Sequence, residues 1–416
     1  MLDLGGGWGA IIGFMDKKTR RRFELNLVKY AWAQPMRWRV YLPIIGVYLV
    51  SVGGLSLVEI ASITSIGAIV SLALQMPSGY FADKFGNRRA LQLGSMISLT
   101  SPLWYIALPN YWGALIGFLL FTLGNLFISN GVMESLIHDT LIKLNREKEY
   151  AKLMGRAQSY GLIGNVVLVA LVALTYPVSP VLPFLLGFVT QIVLFILVRS
   201  YEYPDIPRVH APKAPIKALT SVINWRNLAV FVFFGFVASI GWSSGTGDFL
   251  TIHLNELGMA MGMLGFVQAG GSLIGAILGR VTGIFDAMRS RTYYLIDLLL
   301  AVSCLATIGL ASNLVAAAIA AMIFMGWVRI RSIIFQSKLL AEMKHVYKAT
   351  LISALNLFVN GWSFIAPGLL AWSVLTRGNS LAAGYVLFAA IALVVGLFLW
   401  GLIWLSRRRG VVAKEA

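Results

Sequence analysis

The sequence has 416 residues, of which 58% are hydrophobic and only 12% are charged, and its mean hydropathy is +0.79. A soluble globular protein carries roughly 25% charged residues because its whole surface faces water, so this composition excludes a soluble protein and predicts an all-α integral membrane protein. The net charge of +17 is interpreted first as a sign of membrane topology, and only then as a sign of nucleic-acid binding.

Apolar runs bounded by charged residues, proline or glycine predict twelve transmembrane helices, at about 20 residues for each crossing. The runs cover 26–51, 60–82, 90–108, 112–140, 153–175, 180–199, 227–251, 258–283, 292–310, 313–341, 350–375 and 380–405. A proline-rich, charged segment near the midpoint predicts a linker between two six-helix bundles. The predicted organisation is a basic N-terminal segment (1–25), a first bundle (26–199), the linker (200–226), a second bundle (227–406) and a tail (407–416).

The positive charges sort to one side of this topology. Of the 34 lysines and arginines, 28 fall in segments or span ends on one side, Arg377 falls on the other, and the remaining five fall further inside predicted spans. Positively charged loops stay in the cytoplasm, so both termini and the linker are predicted to be cytoplasmic. Anionic lipid headgroups at that face account for the basic character, and no nucleic-acid partner is needed.

The two halves of the sequence repeat each other at an offset of 204 residues. The matches are Trp38 with Trp242, Gly67 with Gly271 and Gly79 with Gly283. A parallel internal repeat around a central linker is one architecture of secondary transporters. The eighth span also carries a glycine at every fourth position from Gly271 to Gly283, which predicts close helix packing or, alternatively, a sliding interface for gating.

The loop between the second and third spans carries the most specific motif, Gly79-Tyr-Phe-Ala-Asp83-Lys84-Phe-Gly86-Asn87-Arg88-Arg89. It resembles, in position and in residue types, the loop 2–3 signature of the major facilitator superfamily. The resemblance implies two pseudo-symmetric six-helix bundles that move a solute by alternating access, in a protein that works as a monomer. A softer similarity of the run from Ser129 to Tyr150 to a bacterial subgroup implies the cytoplasmic (inner) membrane of a bacterium.

The same resemblance implies that this motif is a conformational latch. Gly79 permits close helix contact, and Gly86 allows a tight reversal. Asp83 is expected to cap the cytoplasmic end of span 11, and Arg88 to pair with Asp139 at the end of span 4, which would stabilise the outward-facing state. Asn87 replaces a residue that is usually basic, and the second half carries only a degenerate copy of the motif.

Four arginines lie on helices that the resemblance places around a central cavity: Arg37 and Arg39 in span 1, and Arg329 and Arg331 in span 10. A charge at the centre of a membrane helix costs about 2.5–3.5 kcal/mol, so such residues usually face a cavity or a partner. Positions i and i+2 of a helix are about 200° apart, so only one arginine of each pair is expected to face the cavity directly.

The arginines predict a binding site for an anionic or zwitterionic small molecule. An alternative is that they only pair with acids such as Glu134 and Asp248, or extend towards the aqueous edge. Asp139 and Asp297 are further possible counter-charges. Other polar or aromatic candidates for the cavity are Gln34, Asn130, Trp242, Ser243 and Gln336, in addition to Asp248.

Protons are the predicted coupling ion, with Glu134, His138 and Asp248 as candidate carriers. No catalytic residue, metal site or cofactor is predicted. The leading interpretation is a secondary transporter. The alternatives are a proton-coupled exporter of amphipathic drugs or lipid-like compounds, which the absence of the usual antiporter pattern in span 5 disfavours, and a facilitator-like receptor or scaffold that does not transport. A membrane enzyme is disfavoured because the compact polar cluster of Glu134, His138 and Asp139 lacks metal-ligand spacing.

Overall fold

The computed structural model describes residues 16–129, 131–204, 225–243, 247–280, 282–342 and 348–415. Within these ranges all regular secondary structure is helical, which confirms the predicted all-α class. The first half of the chain forms α1 (Lys17–Met36), α2 (Leu42–Ser51), α3 (Leu57–Phe85), α4 (Asn87–Leu99), α5 (Ser101–Ala107), α6 (Tyr111–Ser129), α7 (Val132–Lys143), α8 (Tyr150–Leu174) and α9 (Leu182–Ser200).

The second half forms α10 (Trp225–Ser243), α11 (Asp248–Glu256), α12 (Met261–Arg280), α13 (Thr282–Ala287), α14 (Ser290–Leu310), α15 (Leu314–Glu342), α16 (Lys348–Leu375) and α17 (Leu381–Glu415). In the described part of the chain, eight helical stretches are long and apolar enough to cross a membrane, and three shorter apolar helices accompany them. The count of twelve spans and the cytoplasmic side of the termini stay predictions.

Span 1 is broken, although the sequence predicted one continuous helix over 26–51. Its first part, α1, contains Pro35 and ends at Met36, and α2 begins five residues beyond Arg37. The break leaves backbone carbonyls that accept hydrogen bonds from side chains of other helices. Asn165 Nδ2 donates to the carbonyl of Pro35 at 3.4 Å, and Gln191 Nε2 donates to the carbonyl of Met36 at 3.3 Å. These two amides stabilise the broken conformation, because buried backbone groups need a partner.

Spans 4 and 7 are also interrupted. Gly131 precedes α7 with φ of +80°, a left-handed conformation that glycine adopts readily, and Gly247 precedes α11. Each new helix starts with an acid: Glu134 lies in the first turn of α7, and Asp248 is the first residue of α11. Helix N-termini favour carboxylates, so these breaks place negative charge where the backbone stabilises it.

The two halves approach each other closely at one end of the bundle. A Cβ added to Gly46 on α2 would stand 2.6 Å from the backbone oxygen of Asp248, and one added to Gly265 on α12 would stand 2.8 Å from the backbone oxygen of Val169 on α8. Only glycine fits such approaches of backbone to backbone. We call this the far end, because the loops with the predicted cytoplasmic charges lie at the other end, the basic end.

Glycines towards the basic end have open space around them instead. Among the described residues, no heavy atom lies within 4 Å of a Cβ placed at Gly79, Gly155, Gly279 or Gly283. The glycine series of span 8 therefore divides into two parts. Gly271 and Gly275 pack against Met325 and Arg329 of α15, as close packing predicts, whereas the last two glycines of the series contact no described neighbour.

Candidate functional site

A cavity of about 720 Å³ lies between the two halves. Its walls come from both halves, and the breaks in spans 1, 4 and 7 all contribute to them. Three arginines and two acids line it, together with four amide side chains: Arg37, Arg39 and Arg329; Glu134 and Asp248; Gln34, Asn125, Asn165 and Gln268. Such a concave, partly apolar space with a few converging polar groups is the usual form of a small-molecule site.

Arg37 is paired with an acid. Its Nη1 lies 2.9 Å from Glu134 Oε1, with side chains that are 10% and 27% exposed, and the same nitrogen donates to Gln34 Oε1 at 3.2 Å. The hydroxyl of Tyr30 reaches the same glutamate oxygen at 3.5 Å. Arg37 Nε and Glu134 Oε2 are buried and have no hydrogen-bond partner in the described part of the chain. The pair is therefore neutral as a unit but keeps free bonding capacity on both partners.

Arg39 makes cation–π contacts with two aromatic rings. Its guanidinium carbon is 4.7 Å from the ring centroid of Phe118 and 5.0 Å from that of Phe121, both on α6. Cation–π contacts of this kind orient a guanidinium without neutralising it. Asp248 is close enough for its charge to act on Arg39, but no described carboxylate lies within 4.0 Å of that arginine. One oxygen of Asp248, Oδ1, is buried without a hydrogen-bond partner among the described residues.

Arg329 lines the cavity from the second half of the chain, and no described acid lies within 4.0 Å of it. Its aliphatic stem passes beside α12, where a Cβ added to Gly275 would stand 3.1 Å from Arg329 Cδ. The glycine thus leaves room for the stem. The described residues also give Arg329 no hydrogen bond, so within the described part of the chain its guanidinium has no counter-charge at the cavity wall.

Arg331, one of the two candidate cavity arginines of α15, does not line this cavity. It is 1% exposed and bound to Asp297 of α14, whose Oδ1 lies 2.9 Å from Arg331 Nη2. Its Nη1 donates to the backbone oxygen of Val237 at 2.6 Å. Because α15 runs without a break from Leu314 to Glu342, residues two apart point to opposite sides, and only Arg329 faces the cavity.

The expectation of one cavity arginine per pair agrees with Arg329 and Arg331 but not with Arg37 and Arg39. Arg37 and Arg39 both line the cavity. The 200° rule applies within a helix, and α1 has already ended at Met36. The chain between α1 and α2 is thus free to turn both side chains to the same side.

The Major Facilitator Superfamily model matches residues 31–367, which is most of the chain. The chain belongs to the major facilitator superfamily. Solved structures agree in fold. A mutant form of the nucleoside transporter NupG gives a TM-score of 0.79 at 12% identity, over 91% of this chain and 99% of its own.

A bacterial homologue of the human lysosomal transporter Spinster, inward-facing and unoccupied, gives a TM-score of 0.69 at 14% identity, over 92% of this chain and 97% of its own. An auto-inhibited POT family peptide transporter also gives a TM-score of 0.69 at 14% identity, over 93% of this chain and 97% of its own. Curated protein sequences gave no match.

One contact of Asp139 comes from Asn87, the residue of the loop 2–3 motif that departs from the usual basic type. Asn87 Nδ2 lies 3.4 Å from Asp139 Oδ2 and 3.1 Å from Ser135 Oγ. Arg88, which the resemblance assigned to Asp139, is exposed, with its guanidinium carbon 5.6 Å from the ring centroid of Tyr203. The residue that departs from the usual basic type therefore supplies an amide contact to Asp139.

The other predicted site residues divide into two groups. Gln34 lines the cavity beside Arg37, whereas His138 is exposed on α7, with its ring 5.4 Å from that of Tyr150, and is absent from the described cavity wall. The second group lies outside the described residues or side chains and consists of Asn130, Trp242, Ser243, Gln336 and, in the latch, Asp83.

Several cavity residues were missed by sequence reasoning. Asn125 of α6, Asn165 of α8 and Gln268 of α12 are amides within apolar spans, and this rarity is a signal that could have found them. Phe118 and Phe121 carry no such signal, because aromatic residues are common in membrane helices. Their role beside Arg39 becomes visible only when α6 and the break in span 1 are brought together.

Proposed function

We propose that this transporter carries a small organic anion through the central cavity by alternating access. The single observation that carries the proposal is Arg329, a cation at the cavity wall with no described acid or hydrogen-bond acceptor beside it. An uncompensated charge at this depth costs free energy, and a bound carboxylate or phosphate would offset that cost. Guanidinium groups bind such anions through paired hydrogen bonds.

The charges of the described cavity wall support an anion rather than a cation. Three arginines face two acids, and one of those acids, Glu134, is already bound by Arg37. Asp248 is close enough to Arg39 for the two charges to interact, and it offsets part of the positive charge of that arginine. The excess positive charge is therefore concentrated at Arg329, with Arg39 as the second cation that a substrate could contact.

The cavity also suggests that the anion has an apolar part. A volume of about 720 Å³ is within the usual range of sites for small organic molecules. Phe118 and Phe121 face it next to Arg39, and Trp38 lines it as well. These surfaces would pack against a carbon skeleton, whereas a small inorganic anion would leave them in contact with water.

The direction of opening follows from where the halves touch. Close contacts of Gly46 and Gly265 across the halves lie at the far end, and open space surrounds Gly79 and Gly283 among the described residues at the basic end. With the basic end in the cytoplasm, as the positive charges predict, this form corresponds to an inward-open state. The open space around Gly79 is consistent with a released latch.

Proton coupling is assigned in this proposal to the Arg37–Glu134 pair. Protonation of Glu134 would remove the charge that holds Arg37 and would free a further guanidinium for the substrate. His138 has no part in the proposal, because the structure places it on an exposed face of α7. Asp248 contributes to the proposed site through its electrostatic interaction with Arg39.

Binding to purified protein tests the proposal. A thermal-shift screen would compare small carboxylates and phosphate esters with nucleosides and dipeptides, the latter chosen because solved structures of similar fold are a nucleoside and a peptide transporter. Ligands that bind the folded state raise its apparent stability. We expect anions to give the largest shifts, Arg329→Ala to abolish them, Arg329→Lys to keep part of them, and the exposed Arg377→Ala to leave them unchanged.

Two results would count against the proposal. One is a set of anion shifts that Arg329→Ala does not alter, and the other is a preference for uncharged ligands in the unmodified protein. Counterflow of a labelled ligand in proteoliposomes then separates a carrier from a receptor that binds without transporting.

A further inference from the structure

Two side chains of α15 contact the same oxygen of one buried acid on α14. Trp327 Nε1 donates to Asp297 Oδ1 at 2.5 Å, and Arg331 Nε donates to that oxygen at 3.0 Å. All three residues are almost completely buried. Neither Trp327 nor Arg331 lines the described cavity, so this cluster does not contact the proposed transport site directly.

Further contacts tie the same segment of α15 to its neighbours. Arg331 Nη1 donates to the backbone oxygen of Val237 on α10, and the hydroxyl of Tyr293, one turn before Asp297 on α14, donates to the backbone oxygen of Arg331 at 3.3 Å. The ring of Phe285 lies edge-on to Trp327, with centroids 5.0 Å apart. This face of α15 is therefore held by contacts with three other helices, α10, α13 and α14.

The spacing of the anchored residues fixes a rotation. An α-helix turns by about 100° per residue, so Trp327 and Arg331 lie about 40° apart on one face, and Arg329 lies about 200° from each of them. A helix anchored at 327 and 331 therefore presents 329 on the opposite side, which is where the cavity lies.

The sequence of α15 does not by itself determine which of its two arginines faces the cavity. Arg329 and Arg331 are the same residue type at nearly opposite angles, so a rotated helix would exchange their places. Stability alone is a weak explanation for a buried ion pair, because apolar replacements of such pairs are often neutral or stabilising. A role in selecting one orientation is among the better supported uses of buried polar groups.

We propose that Asp297 is a positioning residue that selects which arginine of α15 faces the cavity. It binds Trp327 and Arg331, turns their face away from the cavity and so directs Arg329 towards the solute. The importance of that orientation for binding rests on the proposed function, but the orientation itself can be measured without any substrate.

Cysteine accessibility tests the orientation directly. In a Cys304→Ser background, Arg329→Cys and, as an exposed reference, Arg377→Cys variants would be labelled with a membrane-impermeant maleimide in detergent. With Asp297 in place, we expect Cys at both positions to react. Adding Asp297→Asn should lower the rate at 329 relative to that at 377 at least threefold, whereas adding Glu59→Gln, which alters an exposed helix cap on α3, should leave the ratio unchanged.

A ratio that Asp297→Asn does not change would overturn the proposal. If Asp297→Asn does not yield folded protein, Trp327→Phe removes one donor from the acid and keeps an aromatic ring against Phe285. That variant should shift the ratio in the same direction by a smaller factor, and no shift would again overturn the proposal. Failure of the proposed function would appear separately, as anion binding that is insensitive to Arg329→Ala while the labelling ratio still responds to Asp297→Asn.

Discussion

Two segments of this transporter have the same Arg-x-Arg spacing but use it differently. At Arg37 and Arg39 the helix has ended, and both side chains line the cavity. At Arg329 and Arg331 the helix continues, so one side chain faces the cavity and the other is buried against Asp297. The backbone conformation, rather than the residue type, therefore determines how many arginines of a pair line the cavity.

The acids differ between the two segments as well. Glu134 binds Arg37 at the cavity wall, where the pair is partly exposed, whereas Asp297 binds Arg331 in the packed interior. The first pair borders the cavity, and the second is enclosed by packed side chains. Separate substitutions of the two acids should thus give different consequences.

The largest effect is expected for Asp297→Asn. It leaves Arg331 buried without a counter-charge, and removal of one partner of a buried ion pair costs about 3–5 kcal/mol in the free energy of unfolding. Thermal unfolding in detergent would measure this. Adding Arg331→Leu should recover most of the lost stability, and a double variant as unstable as the single one would contradict the role of the pair.

A smaller effect is expected where α12 makes room for Arg329. Gly275→Ala places a Cβ 3.1 Å from Arg329 Cδ and 3.2 Å from the backbone oxygen of Gly326. Overpacking of this kind costs about 1–3 kcal/mol, and it should weaken anion binding by displacing the stem of the arginine. Gly279→Ala is the matched control one turn further along α12, and equal effects of the two substitutions would argue against a specific contact.

Glu134→Gln should act in the opposite direction on binding. It removes the charge that holds Arg37 and leaves a second cavity arginine available, so anion affinity should rise by about tenfold, the equivalent of one charge-assisted hydrogen bond. Titration calorimetry with the best anion of the thermal-shift screen would measure this. A fall in affinity would show that Glu134 takes part in binding rather than competing with the substrate.

The smallest effect is expected at Phe118. Its ring supports the guanidinium of Arg39, and such a contact contributes about 0.5–1 kcal/mol at a partly exposed site. Phe118→Leu should therefore weaken anion binding only about two- to fivefold. Phe121→Leu is the matching substitution on the second ring, and a loss of binding as large as that of Arg329→Ala would mean that the aromatic wall contacts the substrate itself.

The sequence was sufficient for the class and the family, because apolar runs and the Gly79 to Arg89 motif are local features. It also identified Arg37, Arg39, Arg329, Glu134 and Asp248, since ionisable residues within spans are rare. The breaks were not predicted, because Pro35 and Gly131 resemble many prolines and glycines that membrane helices tolerate. The sequence alone did not show which arginine of α15 faces the cavity, because the partner of Arg331, Asp297, lies 34 residues away on another helix.

Uptake by proteoliposomes provides the most direct test of the central claim that Arg329 binds the transported anion. The unmodified protein, Arg329→Ala, Arg329→Lys and Arg377→Ala would be compared in counterflow of the labelled anion that binds best. We expect the unmodified protein and Arg377→Ala to exchange it equally, Arg329→Lys to require a higher concentration, and Arg329→Ala to be inactive while it unfolds at an unchanged temperature. Equal exchange by Arg329→Ala and the unmodified protein would contradict the claim.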